Sequence, residues 1–172
     1  MGLFNTGGDI SPLQHHPAYL ATDIYVAAGT LETMGNPHAY INQDALDYLH
    51  MNEAHVAPWT FTGLPNARSP ILMNNRNHVQ MLLFAKPEAL EQYREPPRTE
   101  QITFYLPLMI VRGAAPFLGD SKLQNFMDSW KGDFVPINNA AIHLLAEGSL
   151  RIPAQVPMLY INRNHIQGYQ AS

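Results

Sequence analysis

The chain has 172 residues, 46% of them apolar and only 14% charged, with a formal net charge of −4, a pI near 6.0 and no cysteine. That balance argues against a phosphate-binding surface, which needs a basic face, and the lack of thiols removes disulfides, thiolate nucleophiles and Cys-ligated metal sites. No apolar run approaches the roughly 18 residues needed to span a bilayer, so a soluble, cytoplasmic protein is expected.

The first ten residues, MGLFNTGGDI, lack the basic and apolar regions of a signal peptide. They match the short N-myristoylation pattern through Gly2 and Thr6, a pattern common enough that chance is the expected reading. Residues 1–16, rich in Gly, Pro and His, read as an N-terminal arm that orders only against something else. From 17 to 85 the chain reads as a first small β unit. Residues 18–32 predict paired strands turning at Thr22-Asp23. A short helix is then expected, capped by Asn42 or Asp44 with Leu46 and Leu49 inward. A strand at 55–59 follows, and a last strand pair, 71–74 and 78–84, is hinged at Asn75-Arg76-Asn77.

Residues 86–100 form a charged linker with a helix expected from Pro87 to Arg94 and a stiff break at Pro96-Pro97. The second unit, 101–172, repeats the grammar: strands turning at Pro107, a helix with a Ser121/Gln124 capping box ahead of Leu123, Phe126, Met127 and Trp130, a strand at 133–137, and a final pair hinged at Asn162-Arg163-Asn164.

Matches between the units run in one order with loop-sized gaps, which predicts a tandem duplication. Asn75–Gln80 and Asn162–Gln167 differ only by Val79 against Ile166. Gly29 meets Gly113, Gly35 meets Gly119, Leu46 meets Leu123, Leu49 meets Phe126, and Pro58 meets Pro136. Surfaces diverge: residues 17–85 carry two basic and five acidic groups (net −3), and residues 101–172 carry five and four (net +1).

The strand–Gly strand–helix–strand–bend–strand order resembles a five-stranded SH3/Sm-like small barrel. The hydrophobic-N-R-N-H-I ending is similar to the second Sm motif, and Gly29-Thr30-Leu31 resembles the glycine strand of the first. The chain departs where Asn77 and Asn164 stand for the Sm glycine after Arg, and where a helix replaces a tight turn. The RNA-contacting Asp-x-x-Met-Asn element has only an off-register echo, Asp47 to Met51-Asn52. The units are also similar to small bacterial domains of uncharacterised activity. The resemblance implies a mainly β fold of two tandem five-stranded barrel-like domains, each with one inserted helix.

Searching for chemistry yields little. The chain has no phosphate-binding glycine loop, dinucleotide fingerprint or nucleophile elbow. His50, Glu53 and His55 stand one residue away from an inverted zinc-protease pattern and read as surface side chains of a helix. His15, His16 and His38 have no carboxylate at ligand spacing. Arg76 with His78, and Arg163 with His165, form the one recurring polar constellation: an interaction or anion site, or, in an enzyme, Arg binding an anion with His as general base. The structural alternative has Asn75, Asn77, Asn162 and Asn164 shaping hinges, each Arg lying along the surface to reach free carbonyls of a neighbouring strand, and each His bonding backbone.

The few charges, with lysine only at 86, 122 and 131, fit a surface covered by other subunits or a neutral, Asn-rich solvated one. The leading expectation is a non-enzymatic scaffold or accessory subunit that meets proteins or its own copies, without cofactor or metal. An Sm-like RNA binder using Tyr25, Trp59 and Tyr160 is the alternative, disfavoured by charge. A small-molecule protein or enzyme built on the Arg/His pairs is the third.

Overall fold

A computed structural model describes residues 12–91, 93–94 and 96–172. The myristoylation pattern and most of the expected arm lie outside the described residues. Strand β1 (Leu13–Ala21) already includes Leu13–His16 of the stretch expected as an arm. It is followed by β2 (Tyr25–Met34), α1 (Pro37–Ile41), β3 (Tyr48–Pro58), β4 (Ala67–Asn75) and β5 (Met81–Phe84). A 3-10 turn over Pro87–Leu90 stands where a helix to Arg94 was expected. Then come β6 (Thr99–Leu106), β7 (Met109–Pro116), α2 (Phe126–Ser129), β8 (Phe134–Leu144), β9 (Gln155–Asn162) and β10 (Gly168–Ala171).

The ten strands of the described residues join one antiparallel sheet in the order β10-β6-β7-β8-β9-β5-β1-β2-β3-β4. The mainly β expectation holds, but the two barrels do not form. Closing the first half would need both edges of β5 inside that half. Instead β5 bonds β1 on one side and β9 on the other, so the halves fuse edge to edge. Within each half the pairing order is the same, with the last strand of the half beside its first. In β6, Ile102, Phe104 and Leu106 face the core while Gln101 and Tyr105 face out, the period-two pattern of a half-buried strand. β5, paired on both sides, is buried throughout.

The mid-strand glycines have a physical cause. The β2–β3 register shifts between Ala28 and Thr30, and the β7–β8 register between Arg112 and Ala114. The extra residue of each bulge lies on the facing strand, where Glu53 and Asn139 each adopt φ 48°. A Cβ on Gly29 would lie 2.7 Å from the Asn52 carbonyl oxygen, and one on Gly113 2.7 Å from that of Asn138. The backbone comes too close for any side chain.

These landmarks correct the expected correspondences. Glu53 matches Asn139 (139 − 53 = 86), so Pro136 is the counterpart of His50, and Leu144 that of Pro58. The first helix is also displaced. It is α1, N-capped by Asn36, whose Oδ1 accepts from the Ala39 amide at 3.2 Å. Leu49, His50, Glu53 and His55 are on β3 instead. In the second half a 3-10 turn at Leu123–Asn125 precedes α2, and its N-cap Lys122 makes no side-chain capping bond, so the expected Ser121/Gln124 box does not cap it.

Two buried clusters form the core. One is centred on the second half, including Phe104, Phe117, Phe126 and Ile137, and takes Trp59, Met81 and Leu83 from the first. The other is centred on the first half, including Leu20, Leu31, Met51 and Phe84. Its members from the second half are Phe134, Met158 and Tyr160.

Candidate functional site

Each Asn-Arg-Asn-His segment folds as a single 3-10 turn between the last two strands of its half. The Oδ1 of Asn75 accepts from the Asn77 amide, and that of Asn162 from the Asn164 amide, both at 3.0 Å. The Asn side chains thus close the turn in the way that favours Asn at bends. Neither leading Asn needs a left-handed backbone, at φ −61° and −80°.

The two arginines meet different surroundings. Arg76 is buried rather than lying along the surface. Its guanidinium donates to the carbonyls of Ile41 and Gln43, in α1 and the loop after it, and pairs with the Asp133 carboxylate of the other half. Arg163 is half-buried and donates to the Trp130 carbonyl at 2.6 Å. Both Arg backbone amides bond the residue just before the adjacent long strand, Arg76 to the Asp47 carbonyl and Arg163 to that of Asp133.

The histidines differ as well. His165 Nε2 lies 2.6 Å from the Asn77 carbonyl oxygen, in the turn of the other half. His78 is exposed, beside a shallow cavity of about 250 Å³ lined by Thr22, Asp23, Ile24, Tyr25 and Asn75. Asn162 adds a bond from its amide nitrogen to the Arg76 carbonyl at 3.3 Å, and its backbone donates to the Gln80 carbonyl at 2.9 Å. The repeated motif is therefore brought together across the joint between halves, where it fastens β5 to β9.

A second fastening sits at the other end of β3. The Trp59 indole is buried, donates to the Thr22 carbonyl at 3.0 Å and packs on Gly148, while the Thr60 amide donates to the Glu147 carbonyl at 2.9 Å. Trp59 and Tyr160 are thus core residues, not stacking platforms. Tyr25 is half-buried with its hydroxyl donating to Asn74 Oδ1 at 2.9 Å. Burial, with the Asp23 charge, raises the Tyr25 hydroxyl pKa. Burial, with Tyr93 nearby, raises that of Tyr160 further.

Sequence spacing missed one cluster. Glu32, on β2, lies opposite His15 of β1 and also reaches His50 of neighbouring β3, with its Oε2 2.6 Å from His50 Nδ1 and its Oε1 3.9 Å from His15 Nδ1. Only the strand register could have revealed it. Among the described residues, no group of three or more His, Asp or Glu is placed to hold a metal ion. His38 packs edge-on to Tyr93 at 5.4 Å and beside Tyr160 at 5.6 Å, and burial lowers its pKa. Burial also lowers that of His16, with a smaller push from His15. Among the described residues, no helix is long and apolar enough to cross a membrane. No protein-family model, curated protein or solved structure matches the chain.

Proposed function

We propose that the protein is a non-enzymatic structural or accessory subunit, built from two copies of one small β unit, that associates with protein through its sheet edges. The observation that carries this reading is the state of β4. It is the last strand at one end of the sheet, and on one face it and β3 present Ile71, Met73 and Tyr48 to solvent. An open edge beside a contiguous apolar strip invites strand pairing, which natural sheets otherwise block with charge or cover. The repeated Arg and His side chains support it too, because Arg76 and His165 are engaged in joining the halves.

The test is the native mass of the protein from its own source, with absorbance read at 260 and 280 nm. A mass well above 19.3 kDa with a protein-like spectrum is expected. A monomer at all concentrations overturns the reading. Nuclease-sensitive absorbance at 260 nm replaces it with RNA binding.

A further inference from the structure

We propose that the open β4 edge is occupied by the β10 edge of a second copy of this chain, so that copies join head to tail by repeating the β5–β9 joint; this rests on the assembly reading above.

The joint inside one chain is the template. The three residues that the second half contributes to the first half's cluster are Phe134, Met158 and Tyr160. With the strand correspondences already established, their counterparts are Tyr48 (134 − 48 = 86), Ile71 (158 − 71 = 87) and Met73 (160 − 73 = 87). Those three are 48%, 58% and 53% exposed, while the joint residues are nearly inaccessible. Each of the three side chains that the second half lends to the first half's cluster thus has an apolar counterpart left in solvent on β3 and β4.

The other partner strand is equally placed. β5 is bonded on both edges, whereas among the described residues its counterpart β10 is bonded only to β6. In the joint Met81 opposes Ile161 and Leu82 opposes Tyr160. Carried over, Gly168 (81 + 87) opposes Asn74 (161 − 87) and Tyr169 opposes Met73. Pro70 does not block this ladder. Its counterpart Pro157 lies in β9 beyond the two paired residues of the joint.

The polar fastenings carry over too. Arg76 pairs with Asp133 across the joint, so Arg163 of one copy faces Asp47 of the next (133 − 47 = 86). As His165 bonds the Asn77 carbonyl, so His78 is set to bond the Asn164 carbonyl of its neighbour. Asp47 and His78 are both exposed in the single chain. The contact also sets the second half of one copy, net +1, against the first half of the next, net −3. A joint of this polarity is heterologous, and repeating it gives a closed ring or an open filament, not a two-fold dimer.

The chain has no cysteine, so introduced thiols report contacts without background. Directly opposed residues in an antiparallel ladder lie within disulfide range. Met73→Cys and Tyr169→Cys proteins are oxidised separately and as a mixture, with native mass measured alongside. The expected result is a covalent pair at twice the chain mass in the mixture only. A raised native mass without that product, or Met73→Cys linking to itself, overturns the head-to-tail joint and leaves the assembly reading standing. A monomer at every concentration overturns both. Should Tyr169→Cys lose its fold, Ile71→Cys with Ala171→Cys, in the same register (71 + 171 = 73 + 169), makes the same decision.

Discussion

The Arg76 guanidinium and the Asp133 carboxylate, 57 residues apart in the chain, meet across the joint between the sheet halves. Arg76 is almost wholly enclosed and also holds the carbonyls of Ile41 and Gln43, while Asp133 is partly open to water. The guanidinium is thus the more committed partner.

Arg76→Ala removes a buried cation, its ion pair with Asp133 and its bond to the Ile41 carbonyl, while the Gln43 carbonyl keeps the Leu46 amide and the Asp133 carboxylate keeps the Asn164 side-chain amide. An expected loss of about 2–3 kcal/mol follows, less than for a fully buried pair because Asp133 is hydrated. Arg163→Ala, which has one carbonyl partner, is expected to cost about 1 kcal/mol. Urea unfolding of both variants checks the ranking, and equal losses would contradict the asymmetry.

His165→Ala removes a bond across the joint and is expected to cost about 1 kcal/mol, whereas His78→Ala at dilute concentration leaves stability unchanged within about 0.5 kcal/mol. Unfolding curves decide this. A turnover lost with either residue while the fold persists would instead favour the enzyme reading.

Gly29→Ala and Gly113→Ala each push a methyl into a facing backbone oxygen and are expected to destabilise by about 2 kcal/mol or more. Glu53, in left-handed backbone, offers the converse. Glu53→Asn, the residue found at the matching position 139, is expected to gain about 0.5–1 kcal/mol. Thermal melting of the three variants tests both signs.

His38 and His16 are held below the ordinary histidine value of 6.5 by burial. Near and below that value the unfolded chain binds more protons than the folded one, so stability falls as pH falls. Denaturation midpoints are expected to drop between about pH 7 and about pH 5, and His38→Phe to flatten part of that slope. A midpoint that rises on acidification would refute the assignment.

Much of this architecture was readable locally. The alternation in β6, the turns at Thr22 and Pro107, and the hinge after Asn75 and Asn162 each follow from side-chain period or turn chemistry. The segment around β3 misleads because of its bulge. Leu49 and Met51 are buried at a spacing of two. The extra residue at Glu53 then brings Ala54 to the same face at a spacing of three, and the whole imitates helical spacing. The joint was not readable either. β5 is apolar on both faces, and such a strand carries no record of whether β4 or β9 takes its second edge. Arg76 and Arg163 look alike in sequence, and only their place relative to that edge separates a buried ion pair from a half-exposed donor.

The borrowing of Phe134, Met158 and Tyr160 by the first half's cluster has a consequence for synthesis. A ribosome delivers β1 to β5 well before any of those three residues leaves the exit tunnel. The nascent first half must therefore wait with the outer edge of β5 unpaired and part of its apolar cluster uncovered. During that interval the chain is most exposed to misassociation between neighbouring nascent chains and most in need of a chaperone's shelter.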